Sequence, residues 1–206
     1  MAGYRPTHLL YFRSVTRYLI AVLCLGTLLL AGCMMPNVKE QRAKNEKKLA
    51  AEGITALTPG EAAPAFTSTT HLGAEFSIPQ ADSERRIVLY FYPADDTPNA
   101  TRQLQQLSKP MPVLEPEGIH LYGISKGSAR EHQAYAEKYA ITVPLIADKD
   151  LAISTSYGCA LADGEFVQRT LVGIDRDGTV AFFERGFPMG DPATQIMKWY
   201  DLITEE

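Results

Sequence analysis

Cysteine is scarce in this chain of 206 residues, with Cys24, Cys33 and Cys159 as its whole complement. Three are too few for a disulfide scaffold, and no two lie within the two to four residues that a zinc site uses. Basic charge is also short: 20 Lys and Arg against 24 Asp and Glu leave a net charge of −4, the wrong sign for a nucleic-acid partner. A Gly-rich phosphate loop is missing. No apolar run reaches the roughly 20 residues that a helix needs to cross a bilayer. What is present, 46% hydrophobic and 21% charged residues, describes a chain that folds around one sizeable core.

The charge is unevenly placed. Residues 1–32 hold Arg5, Arg13 and Arg17, no lysine and no acidic residue. Residues 18–30 (YLIAVLCLGTLLL) are uncharged and apolar, and with arginines before and small residues after they read as the hydrophobic region of a secretory signal. The run closes on Leu30-Ala31-Gly32-Cys33, which resembles a bacterial lipobox. The resemblance implies a diacylglyceryl group on the Cys33 thiol, cleavage before Cys33, and a lipoprotein held on the membrane by acyl chains of the palmitate kind without spanning it. Met34 stands where an aspartate would signal inner-membrane retention, so the expected location is the cell envelope. In a double-membraned organism that means the outer membrane, facing the periplasm. Cys24 would leave with the signal and Cys33 would become a thioether, so Cys159 is the free thiol of the mature chain.

The chain divides accordingly into a signal (1–32), a lipidated Cys33 with a polar linker (33–57) and a domain (58–206). The linker carries Lys39, Glu40, Arg42, Lys44, Glu46, Lys47 and Lys48. It reads as a solvated and partly helical spacer, its lysines within reach of anionic head groups. In the domain, 12 basic residues face 21 acidic ones. Strands are predicted over 66–70 and 75–78 as a hairpin, over 86–92 as a central strand buried on both faces, and over 119–124 and 143–147. A second hairpin is predicted over 168–174 and 179–184, turned by Asp175-Arg176-Asp177-Gly178. Helices are predicted over 99–107, closed by Pro110, Pro112 and Pro116, over 128–139 with Ser128 and Glu131 as a capping box, over 150–157 ended by Gly158, and over 191–203. The alternation predicts a three-layer α/β domain with a central mixed sheet and an N-terminal hairpin.

Four segments carry a family resemblance: Thr58-Pro59-Gly60-Glu61-Ala62-Ala63-Pro64-Ala65-Phe66; Ile87 through Pro93-Ala94-Asp95-Asp96-Thr97-Pro98; Gly123-Ile124-Ser125; and Arg169-Thr170-Leu171 through Ile174-Asp175. Together they resemble a peroxiredoxin of the alkyl hydroperoxide reductase and thiol-specific antioxidant family, in its bacterioferritin-comigratory or peroxiredoxin Q branch. The resemblance implies a thioredoxin fold, no cofactor, and a loop P-x-x-x-T-x-x-C that opens a helix, with a distant arginine that lowers the thiol's pKa. Mapped onto this chain, the proline is Pro93, the threonine Thr97 and the arginine Arg169, while the peroxidatic cysteine falls on Ala100. The resolving cysteine falls on Gln105, and the glycine before the peroxidatic cysteine on Asn99. A methyl group has no lone pair with which to attack a peroxide.

Three readings of this loop stand open. The domain is a vestigial peroxiredoxin that binds an envelope protein or a small anionic ligand, or supports an envelope assembly. Alternatively it remains a thiol-dependent peroxidase, working through Cys159 or a partner's thiol. A lipid-anchored reductase or copper chaperone would need a C-x-x-C or C-x-x-x-C pair, which the chain does not have. Arg169 is expected to pair with a loop carboxylate or to hold a small anion near the helix that starts at Asn99. His71, His120 and His132 read as scattered lone histidines of surface or core, with no metal-ligand spacing, and Asp95 and Asp96 as loop carboxylates that meet solvent or pair with the positive end of a helix.

Overall fold

In the computed structural model the described residues are 38–80, 84–161, 167–186, 192–200 and 202. The signal, Cys24 and the lipidation position Cys33 lie outside them. By its contacts the chain divides into residues 1–41 and 42–206, and the sheet, both cores and the candidate site belong to the second unit. Among the described residues no helix is long and apolar enough to cross a membrane.

A five-stranded mixed sheet of order β5-β4-β3-β6-β7 forms the middle layer. Its strands are β3 (Arg86–Phe91), β4 (Ile119–Ser125), β5 (Leu145–Ala147), β6 (Thr170–Ile174) and β7 (Val180–Arg185). The β-branched and aromatic run RIVLYF forms β3, buried from its second residue onward, as befits a central strand covered on both faces. It pairs in parallel with β4 and antiparallel with β6, with Tyr90 opposite Gly123 and Leu171.

Alternation along β3 builds two cores. Val88, Tyr90 and Tyr92 face α2 (Pro98–Ser108), α4 (Ala129–Tyr139) and α6 (Pro192–Trp199), meeting Leu104, Leu107, Tyr135 and Ile196. Ile87, Leu89 and Phe91 face the other way, toward Phe76 and Ile78 of a hairpin and Ile153 of α5 (Ala152–Ser156). That hairpin, β1 (Phe66–Thr69) with β2 (Glu75–Ile78), runs in the register Phe66 to Ile78. The three-layer arrangement is thus the one the alternating pattern predicts.

Three local differences have physical causes. The prolines expected to exclude helix after α2 instead occupy first turns: Pro112 in the short α3 (Met111–Leu114) and Pro116 in the 3-10 turn Glu115–Glu117. A first-turn N–H has no intrahelical partner, so its loss costs little. Second, α5 is shorter than predicted. Its start is fixed by the buried Asp148 carboxylate, which accepts from Ile153 N at 3.0 Å and Ser154 N at 2.8 Å. Third, the spacer is partly helical as expected, with α1 (Val38–Ala51), but it is tied in at two points where a solvated spacer would have none. Leu49 is buried, and Arg185 donates to Glu46 through Nη1 and to the Gly158 carbonyl through Nη2. Gly158 also has φ of +62°, and a Cβ there would stand 2.0 Å from the Thr55 carbonyl oxygen, so no other residue fits that corner.

Gly173 is likewise fixed by its neighbour. It pairs with Phe182 across β6 and β7, and the Phe182 ring leans over it so closely that a Cβ would lie 2.1 Å from a ring carbon. The ring also packs on Trp199, centroids 4.5 Å apart. Gly173→Ala therefore displaces an aromatic from the core and should cost about 1–3 kcal/mol, read as a lower urea midpoint with unchanged slope. An unchanged midpoint would contradict this packing.

Candidate functional site

The site grows from the C-terminal end of β3. Tyr92 is the last buried residue before the chain turns through 93–97 into α2. Thr97 has the extended backbone of an N-cap, and its Oγ1 accepts from Ala100 N at 3.4 Å. Pro98 follows in the first turn, where its missing N–H is harmless. Ala100 is consequently the third residue of the helix, 2% exposed, within the core that holds Tyr90, Tyr92 and Leu104.

Both loop aspartates have side-chain partners: Asp95 is part-buried, which corrects its reading as a solvated carboxylate, while Asp96 is exposed as expected. Asp95 accepts from the Tyr92 hydroxyl at 2.7 Å and lies 2.7 Å from His132 Nδ1, with Ser125 Oγ at 3.5 Å. Asp96 adopts the left-handed region, φ +58°, which Asp tolerates. It receives Lys138 Nζ at 2.9 Å and the Tyr139 hydroxyl. Those donors hold the exposed Asp96 carboxyl below the usual carboxylate range, Tyr139 foremost. Helix α4 therefore grips the loop from two successive residues. The predicted capping box at Ser128 is present, and it sets the register that puts His132, Tyr135, Ala136 and Tyr139 on one face at helical spacing.

His132 is a core histidine: it is fully buried and joined to Asp95, and its Nε2 has no hydrogen-bond partner. Among the described residues no group of three His, Cys, Asp or Glu is arranged to hold a metal.

Arg169 sits one residue before β6, on the same side of the sheet as Leu171 by strand alternation. It acts electrostatically on Tyr90, partly offsetting the burial that raises the phenol's pKa. Tyr90 also donates to Gln103 of α2, and its ring stacks on Tyr92 with centroids 5.7 Å apart. Arg169 Nε is buried without a hydrogen-bond partner, and no salt bridge joins Arg169 to a carboxylate among the described residues. Pro93, Thr97, Ala100 and Arg169 are thus gathered at one end of β3 and β6. Gln105, on the exposed side of α2, donates to the Tyr139 carbonyl at 2.9 Å.

Cys159 belongs elsewhere. It lies in the core on the opposite face of the sheet from Ala100, fully buried and unpaired with another cysteine. Burial pushes its thiol up to about 12, against the opposing hydrogen bond with Thr170. A thiol so placed carries almost no thiolate at neutral pH.

A profile of the AhpC/TSA family matches residues 59–183. The chain belongs to this family. A relative described as peroxiredoxin bcp, from Coxiella burnetii, is 32% identical over 128 residues, covering 59% of this chain and 84% of that protein. Chloroplastic peroxiredoxin Q of Sedum lineare is 29% identical, over 60% of this chain and 67% of that protein. The crystal structure of peroxidoxin BcpB from Mycobacterium tuberculosis superposes with a TM-score of 0.63 at 23% identity, over 72% of this chain and 99% of that one. A PrxQ structure from Xylella fastidiosa gives 0.63 at 17% identity, over 71% and 97%. This AhpC/TSA chain is therefore peroxiredoxin-like, with a thioredoxin-type α/β fold.

The burial of Cys159 has a direct readout. In the folded chain a thiol-directed alkylating agent at neutral pH should leave the Cys159 peptide unlabelled by mass spectrometry, while urea renders it fully reactive. Labelling of the folded chain at the unfolded rate would contradict its placement.

Proposed function

We propose that this peroxiredoxin-like chain is a non-catalytic binding or scaffold module, tethered to the bacterial envelope by a lipid on Cys33. The observation that carries the reading is Ala100 on the buried third residue of α2, beneath the Thr97 cap. Peroxide reduction by a thiol forms an S–O bond while the O–O bond breaks, and sulfur supplies the electron pair. At this position there is no such pair to supply. Cys159 does not stand in for it, because the sheet lies between the two and burial keeps the thiol protonated.

What remains at the loop is recognition chemistry without a nucleophile. The N-terminus of α2 carries the positive end of the helix dipole, and Arg169 keeps a buried Nε without a partner. These features suit a small anion or an acidic group of an envelope protein. In a double-membraned organism such a tether, through a lipobox cysteine with Met34 after it, would hold the domain on the outer membrane, facing the periplasm.

Restoring sulfur tests the first half of the reading. Ala100→Cys treated with hydrogen peroxide should gain about 16 Da on the peptide containing residue 100, the mass of a sulfenic oxygen. The unaltered chain should gain nothing there. No adduct on the variant would mean that the loop no longer activates sulfur, and that the site has changed beyond one atom. The tether has its own test: a bacterial host given an alkyne-labelled fatty acid should label the chain and not Cys33→Ser. Equal labelling of both would remove the lipid anchor.

A further inference from the structure

The N-terminal hairpin is fastened to the sheet through a histidine that the site does not use. His71 follows β1 at the hairpin turn and is buried. Its backbone N–H donates to the Leu145 carbonyl at 2.7 Å, and the Leu145 N–H returns a bond to His71 Nδ1 at 2.8 Å. Two further ties lie beside it: Thr70 bridges Ile146, and Ser68 Oγ donates to the Ala147 carbonyl at 2.6 Å. Of these ties only the one at Nδ1 depends on a titratable group. An imidazole nitrogen that accepts a hydrogen bond must keep its lone pair, so a proton on Nδ1 abolishes the bond and sets two donors face to face.

The surroundings act on that proton from several elements. From α4 come His132 and Glu137, and from the loop comes Asp95. His132 works against a proton on His71, whereas the two carboxylates favour it. Burial is the largest influence, and with His132 it lowers the His71 pKa from its usual value. The linkage therefore has a definite sign. The folded chain holds His71 neutral, the unfolded chain protonates it near pH 6.5, and stability is complete above that value. It falls as the pH drops toward the lower folded-state pKa.

Hairpin position has a consequence for the surface. Phe66, Thr67 and Ser68 of β1 form one wall of a cleft of about 330 Å³, and Ala147, Asp148, Ile153 and Ser156 form the other. The ties at Ser68, Thr70 and His71 set the separation of those walls.

We propose that His71 is a protonation-sensitive latch: neutral, it holds the β1–β2 hairpin against β5 and fixes the width of the cleft beside α5, and protonated, it releases the hairpin and lets the cleft widen. The latch is independent of whether the α2 site is catalytic.

The test is hydrogen exchange of the purified full-length chain in detergent micelles at about pH 7.5 and about pH 5, corrected for intrinsic exchange. Peptides covering 66–78 and 143–147 should lose protection about tenfold at the lower pH, the worth of one hydrogen bond of ordinary strength. His71→Asn keeps an acceptor near the Nδ1 position but does not titrate, and should show equal protection at both values. Equal protection in the parent chain, or the same loss in His71→Asn, would overturn the latch. If that variant does not fold, nitrogen NMR of the parent's imidazoles decides. Protonation of His71 Nδ1 in step with loss of the Leu145 amide signal supports the latch, and protonation that leaves Leu145 unchanged overturns it.

Discussion

The geometry of the α2 site depends on one carboxylate. Asp95 collects the Tyr92 hydroxyl from the end of β3, Ser125 from the end of β4 and His132 from the middle of α4, so that two strands and a helix meet on two oxygen atoms. A charged group in such a setting is stable only while its donors remain. Tyr92 and Ser125 share Oδ1 while His132 alone meets Oδ2, so loss of His132 leaves a part-buried oxygen unmatched, at about 1–3 kcal/mol. With Asp95 fixed, Asp96 is delivered to Lys138 and Tyr139, Thr97 becomes the cap of α2, and Ala100 is carried into the core. Position 100 is thus determined by contacts that do not involve its own side chain.

The central sheet also decides which chemistry the chain can perform. Strand alternation sends Tyr90 and Tyr92 to one face with Ala100, and Phe91 to the other with Cys159. The one free thiol in the described region is therefore walled off from Ala100 by the sheet itself. Its immediate neighbours, Tyr157 and Thr170, are parts of a packed core, not of a surface that a peroxide could reach.

Much of the fold was legible in the residues. The run RIVLYF could only be a strand covered on both sides, Ser128 with Glu131 announced the start of α4, and the family resemblance put Pro93 and Thr97 in a loop that opens a helix. The loop carboxylates were not legible, because adjacent Asp residues before a helix usually meet solvent, and nothing local tells that a histidine 37 positions later in sequence lies beside Asp95. The helical spacing of His132 and Tyr135 from Ser128 was the signal available: it put both on the face that α4 buries. The spacer was misread for a related reason. Helix α1 is polar nearly all round, and its attachment through Glu46 needs a partner, Arg185, 139 positions away. Long-range ion pairs leave no periodicity to read.

A peroxiredoxin-like fold with Ala100 buried at the third residue of α2 leads to the proposal that this chain keeps the family's shape without a peroxide-reducing step. The most direct measurement is the rate at which the purified, unaltered chain consumes hydrogen peroxide and an organic hydroperoxide in the presence of excess dithiol reductant. The expected rate equals that of reductant alone. Turnover proportional to protein concentration, above that background, would contradict the claim.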